Sequence, residues 1–165
     1  MAIGQKIAPC IWFDNQGEEA AKFYVSIFKN SRIRYIGRYG EAGKETHQRP
    51  VGSVMTVEFE LDGQSFTALN GGPIFKLSEA VSLQVYVENQ EELDYYWDKL
   101  SAGGNPESQV CGWLKDKFGL SWQVVPKRLV EMFGDPDNPG SQRAMAALME
   151  MKKLDIAALE KAYRG

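Results

Sequence analysis

Nucleophilic and proton-relay chemistry needs side chains that this chain supplies sparingly. It has one histidine, His47, two cysteines, Cys10 and Cys111, and no Gly-x-Ser-x-Gly turn. A Ser-His-Asp or Cys-His relay therefore requires His47 to fold back from the polar stretch before Pro50, where a solvated loop histidine is the expectation. Of the two thiols, Cys111 is the candidate for reactivity, because Lys115 and Lys117 stand close in sequence and nearby cations lower a thiol's pKa. Against that, free cysteines usually behave as small buried apolar residues. Asp116, between those lysines, reads as an exposed turn charge.

Alternation along four apolar runs singles out a different, uncharged set. In residues 7–13, 64–70, 81–87 and 120–125 one parity is apolar: Ile11 and Phe13, Phe66 and Ala68, Val85 and Val87, Trp122 and Val124. That side must lie against helices. The other parity reads Ala8, Cys10, Trp12; Ser65, Thr67, Leu69; Ser82, Gln84, Tyr86; Ser121, Gln123, Val125. If the strands curl into an open barrel, this second face lines a cavity for a small molecule. Trp12 and Tyr86 can stack on a flat ligand, while Thr67, Asn70, Ser82, Gln84 and Gln123 exchange hydrogen bonds without formal charge. The predicted binding set is therefore Trp12, Thr67, Asn70, Ser82, Gln84, Tyr86 and Gln123, and the expected ligand is neutral or weakly polar.

The elements that position these residues occur twice. Asp14-Asn15-Gln16-Gly17-Glu18-Glu19 follows the run 7–13, and Glu88-Asn89-Gln90-Glu91-Glu92 follows the run 81–87, each a capping residue with an acidic first turn. Gly63-Gln64-Ser65-Phe66-Thr67-Ala68-Leu69 and Gly119-Leu120-Ser121-Trp122-Gln123-Val124-Val125 form a second echo in the same order. The first module reads as strand 7–13, a helix capped by Asp14 or Asn15 with Ala20, Phe23, Tyr24, Ile27 and Phe28 on its apolar face, strand 32–39, a polar loop 40–50, and strands 51–61 and 64–70 joined at Asp62-Gly63. The second reads as strand 81–87, a helix capped by Asn89 and running to about 101, short strands 107–110 and 112–114, and strand 120–125. In the tail, Ala144, Leu148, Met149 and Met151 mark one helix, and Asp155 caps another through Ile156, Leu159 and Tyr163. The predicted fold class is α+β. Two βαβββ modules, about 7–70 and 81–126, form an open, curved mixed sheet within a single domain 1–165, with a helical tail 127–165.

Composition narrows the partners. The chain has 165 residues, 44% hydrophobic and 25% charged, with a net charge of −3 and its 19 basic residues scattered, so no footprint for a phosphate backbone exists and nucleic acid is excluded. No apolar run reaches the roughly 18 residues of a membrane span, and residues 1–6 lack the apolar stretch of a secretory signal. A cytoplasmic protein with two free thiols and no membrane partner is expected.

Phe66-Thr67-Ala68-Leu69-Asn70-Gly71-Gly72-Pro73, Cys111-Gly112-Trp113-Leu114-Lys115-Asp116-Lys117-Phe118-Gly119-Leu120-Ser121-Trp122-Gln123-Val124-Val125-Pro126 and Met151-Lys152-Lys153-Leu154-Asp155-Ile156 are similar to the PhnB-like group, labelled 3-demethylubiquinone-9 3-methyltransferase domain. The paired modules resemble the wider vicinal oxygen chelate superfamily of glyoxalase I, bleomycin-resistance proteins and extradiol dioxygenases. The likeness spans about residues 7–165. It implies a metal held from the first, fourth, fifth and eighth strands, positions that align with Ala8, Thr67, Ser82 and Gln123. Alanine has no donor and the other three are neutral, whereas such sites need imidazoles or carboxylates, so no metal and no cofactor are expected. The labelled methyl transfer is likewise not expected, since neither Gly71-Gly72-Pro73 nor Gly103-Gly104-Asn105-Pro106 follows a nucleotide-binding glycine pattern. The resemblance also implies a homodimer. The expected function is metal-independent binding of a small neutral or aromatic ligand in a barrel cup. One alternative is a metal-independent enzyme using Gln123 and a neighbouring hydroxyl to polarise a carbonyl; another is a vestigial cavity with a tail that mediates assembly.

Overall fold

Alternating apolar residues give the first unit of the chain its strands, and the computed structural model, which describes residues 5–165, ends that unit at Leu77. Residues 1–4 lie outside the described residues, and with them most of the N-terminal segment read above for a secretory signal. Strands β1 (Cys10–Phe13), β2 (Arg32–Arg38), β3 (Val54–Leu61) and β4 (Gln64–Asn70) form one sheet in the order β1-β4-β3-β2. β1 runs parallel to β4, and the other pairs are antiparallel. Helix α1 (Gly17–Ile27) covers one face. There Ile11, Phe13, Val57, Phe59, Phe66 and Ala68 are buried together with Ala20, Ala21, Tyr24 and Ile27. The Tyr24 and Phe66 rings lie 6.3 and 5.5 Å from that of Phe59. Each such large apolar side chain contributes roughly 1.5–3 kcal/mol by leaving water. At the β3–β4 turn Asp62 and Gly63 both take positive φ, 47° and 77°, the two-residue hairpin geometry that Asp-Gly favours.

Three local readings of this unit need correction. β1 starts at Cys10, because Pro9 has no N–H to give a ladder; its carbonyl still accepts from the Thr67 N–H at 2.9 Å. The loop 40–50 contains a single-turn helix, α2 (Lys44–His47), bounded by Gly43 and Gln48 in the left-handed region. Neither Asp14 nor Asn15 caps α1. Gln16 holds the cap position without a side-chain bond, and the buried Gly17 N–H donates instead to Asn70 Oδ1 at 2.7 Å.

The second unit, from Ser78 to Gly165, repeats the plan with fewer strands. β5 (Ser82–Val87), β6 (Trp113–Lys115) and β7 (Ser121–Pro126) form a sheet in the order β5-β7-β6, with β5 parallel to β7. Helix α3 (Gln90–Ser101) packs on it, burying Leu93, Trp97 and Leu100 beside Val85, Val87, Leu114, Trp122 and Val124. Asn89 caps α3 as expected, its Oδ1 accepting from the Glu92 N–H at 2.9 Å. The expected strand 107–110 is absent. Asn105 accepts from the Glu107 N–H and starts a 3-10 turn at Pro106–Ser108, leaving only an isolated bridge between Val110 and Trp113. The described residues thus hold seven strands in two mixed sheets, one strand fewer than the eight expected. Three helices follow: α4 (Lys127–Met132), which the sequence reading missed, α5 (Pro139–Met149) and α6 (Ile156–Arg164). Pro126 ends β7, and its φ of −61° leads directly into α4.

Candidate functional site

Strand register sorts the predicted binding residues onto defined faces. On the second sheet, Ser82 pairs with Ser121, Gln84 with Gln123, Tyr86 with Val125 and Trp113 with Gln123. These side chains share the face away from α3, because the alternate residues Val85, Val87, Trp122 and Val124 are buried on the helix side. Four of them form one run of hydrogen bonds. The Tyr86 hydroxyl donates to Gln84 Oε1 at 2.9 Å, Gln84 Nε2 to Gln123 Oε1 at 3.4 Å, and Gln123 Nε2 to Ser82 Oγ at 2.8 Å. The middle link is long and weak, and the two ends are ordinary. The run has a direction: Tyr86 presents lone pairs at one end, and Ser82, already accepting, has its own O–H free to donate at the other. Beside it Ser121 is 1% exposed, and its Oγ has no hydrogen-bond partner among the described residues.

In the first unit the face away from α1 carries Cys10 and Trp12 on β1, Ser65, Thr67 and Leu69 on β4, and Thr56, Glu58 and Glu60 on β3. Trp12 is fixed in place. Its Nε1 donates to the Gly72 carbonyl at 2.8 Å, its ring meets Phe75 edge-on at 4.8 Å, and a Cβ on Gly71 would lie 2.1 Å from Trp12 Cζ2, so only glycine admits the indole there. Partial burial pushes the Cys10 thiol up, which keeps it protonated at neutral pH. The sequence reading missed the β3 carboxylates. The alternation Thr56, Glu58, Glu60 against buried Val57, Phe59 and Leu61 was the signal for them.

Asn70 does not join this face. It has the parity of Phe66 and Ala68 and is buried toward α1, where its Oδ1 accepts from Gly17, its Nδ2 donates to the Val54 carbonyl at 3.1 Å, and its own carbonyl accepts from the Tyr39 hydroxyl at 2.7 Å. Beside it lies a cavity of about 420 Å³ lined by Asn15, Glu18, Arg49, Ser53 and Val54 among others. His47 is not a solvated loop residue. Its ring lies 4.5 Å from that of Tyr39, its Nδ1 accepts from the Arg49 N–H at 3.0 Å, and Nε2 is buried without a partner among the described residues.

Cys111 serves the backbone. At φ 50° its N–H donates to the Met151 carbonyl at 2.8 Å and Gly112 donates to Lys152, tying the tail to the strand bend. Lys115, one of the two cations expected to activate that thiol, pairs with Glu79 at 2.5 Å. Asp116 is 3% exposed and is no surface charge. Its Oδ1 accepts from the Phe118 and Leu120 N–H groups and its Oδ2 from Trp122 Nε1 at 2.8 Å, closing the turn into β7.

The positions aligned with superfamily metal ligands do not fit a divalent ion. Ala8 precedes β1 and has no donor, and Thr67, Ser82 and Gln123 supply only neutral oxygens. Among the described residues no three His, Cys, Asp or Glu side chains converge.

Two small mixed sheets, each backed by a helix, with helices at the C-terminus, are the arrangement of the glyoxalase/bleomycin-resistance fold, and solved structures bear this out. A PhnB protein from Bacillus cereus is 36% identical over 74% of this chain and 99% of its own, with a TM-score of 0.62. A protein from Pseudomonas aeruginosa, 18% identical over 74% of this chain and 97% of its own, has a TM-score of 0.57. The fosfomycin resistance protein FosX from Listeria monocytogenes, complexed with Mn(II) and sulfate, is 15% identical over 81% of this chain and 98% of its own, with a TM-score of 0.50, a likeness of fold alone. No curated protein matches. The family model described as 3-demethylubiquinone-9 3-methyltransferase matches residues 5–125, and the chain belongs to this PhnB-like family.

Proposed function

We propose that this protein binds a small, flat organic molecule without a metal, on a sheet face turned away from its covering helix. The observation that carries this reading is the uncharged run from Tyr86 through Gln84 and Gln123 to Ser82. It offers an acceptor at one end and a donor at the other on one sheet face. Trp12 and Thr67 on the first sheet offer a stacking surface and a hydroxyl. A second reading, turnover of a carbonyl compound polarised by Gln123 and the neighbouring Ser82 hydroxyl, draws on the hydrogen bond that joins the two. Methyl transfer draws only on the family description. Neither sheet is doubly wound, and the glycine pairs at 71–72 and 103–104 sit in turns against Trp12 and the Lys115 carbonyl.

The homodimer and the cytoplasmic location belong to the same proposal, the second supported by two free thiols. No helix among the described residues is long and apolar enough to cross a membrane. The test is tryptophan fluorescence and thermal shift against a panel of aromatic and drug-like compounds. A hit whose affinity falls about tenfold in Gln123→Ala, the loss of one or two hydrogen bonds, supports the proposal. Absence of any saturable response sinks it, and saturable calorimetric binding of S-adenosylmethionine transfers the reading to the methyltransferase.

A further inference from the structure

On the first sheet, two carboxylates two residues apart on β3 meet opposite fates. Glu60 is neutralised twice: Arg32 Nε lies 2.8 Å from its Oε2, and Arg34 pairs with its Oε1. The Arg34 guanidinium, with that of Arg32, holds the Glu60 carboxyl below its ordinary value. Glu58 is half-buried and makes no hydrogen bond or ion pair among the described residues. The cause is a bulge in β2. Arg32 pairs with Glu60 and Ile33 with Phe59, so an unbroken ladder would set Arg34 opposite Glu58; the register shifts there, and Tyr35 takes that place. Both arginines thus converge on one carboxylate, and the other faces an aromatic ring.

The surroundings of Glu58 are those of a recognition group. Across β4 stand the Thr67 hydroxyl and then the Cys10 thiol, neither charged. Gly37, two residues past Tyr35, has no side chain where a Cβ would lie 2.7 Å from Thr56 Oγ1 and 3.3 Å from the Tyr35 ring, so the glycine leaves that ring room over the strand. A partly desolvated carboxylate without a partner is costly to keep, and an aromatic neighbour attracts cations. A single unpaired carboxylate beside a hydroxyl and a protonated thiol is a poor chelator of a metal ion, whereas it suits a protonated nitrogen.

We infer that Glu58, freed by the β2 bulge and flanked by Tyr35 and Thr67, receives the protonated amine of a small aromatic ligand. This rests on the ligand-binding reading above and narrows it from a neutral compound to an organic cation. The test uses the full chain with three probes of one shape: benzylamine, benzyl alcohol and benzoate, followed by calorimetry or by one-dimensional NMR of the probe. Benzylamine should bind about tenfold tighter than benzyl alcohol, with benzoate weakest, and the preference should shrink as salt is raised. Glu58→Gln should abolish the preference, and Glu58→Asp should retain part of it. Equal binding of amine and alcohol to the unaltered protein overturns the inference while the ligand-binding reading stands. So does a preference that survives Glu58→Gln. No binding of any probe at millimolar concentration overturns this inference, and a blank compound panel as well would remove the reading beneath it.

Discussion

Asn70 shows one side chain committed to architecture through both ends of its amide. Its amide satisfies the first buried N–H of α1 and the Val54 carbonyl together, and Gly17 is glycine because a Cβ there would lie 2.7 Å from Asn70 Oδ1. Asn70→Ala strands a donor and an acceptor in the interior, each costing about 1–3 kcal/mol. The expected result is a fall in the urea midpoint equivalent to about 2–4 kcal/mol with an unchanged slope. An effect under about 0.5 kcal/mol would mean that water replaces the amide. Asp116 is the counterpart in the second unit. It takes three donors, so Asp116→Ala should cost about 3 kcal/mol or more, and Asp116→Asn, which keeps at most part of that set, should cost less. Both residues were misjudged from sequence for one reason. The groups they serve are fixed by how the chain folds back, as with Gly17, which lies 53 positions from Asn70.

At the scale of elements, the tail is held to α3 by its first helical residue. Gln90 donates to the Leu154 carbonyl at 3.1 Å and to Asp94 Oδ1 at 3.0 Å, accepts from the Ile156 N–H at 2.9 Å, and Lys153 Nζ lies 2.9 Å from the same Asp94 oxygen. The Gln90 hydrogen bond, and then that of Lys153, hold the Asp94 carboxyl below its ordinary 3.8, and Asp94 holds the Lys153 ammonium above its ordinary 10.5. The Asp94 contribution is thus present above its unfolded pKa and lost as pH falls through the lower folded one. That of Lys153 is present below its unfolded pKa and lost as pH rises through the higher folded one. Tail docking should plateau between those limits and loosen on either side, modestly, because both groups are largely solvated. The Ile156 amide resonance should report the acid step, and Asp94→Asn should remove it; a step that persists in that variant assigns it elsewhere. Elements governed by near neighbours were legible: β4, the Asp62-Gly63 hairpin, the Asn89 cap and the Asp155 cap all stand where local chemistry puts them. The β2 bulge and the 3-10 turn at Pro106 were not, since an apolar alternation says nothing of where a ladder skips a residue. That skip is what separates Glu58 from Arg34, so the polar face of the first sheet was readable in outline and its charge was not.

Across the whole molecule, the sequence echo becomes an echo of topology. In each unit the strand that precedes the helix pairs in parallel with the unit's last strand, β1 with β4 and β5 with β7, and the helix covers one face while the other carries polar and aromatic groups. One difference between the halves is the tail of the second unit. On α5, Ala144 is fully buried while Met145 and Met149 are 42% and 61% exposed, four residues apart and so on one side of the helix. Exposed methionines at that spacing suit a packing surface, since thioether chains adapt to an irregular partner. If the chain pairs through α5, light scattering at micromolar concentration should return about 37 kDa, twice the 18.5 kDa of one chain. Placing lysine at both methionines should then drive the mass to that of a monomer without unfolding the protein, because neither side chain belongs to the core. A monomeric mass for the unaltered chain rules out the dimer, and a dimer indifferent to both lysines moves its interface off α5.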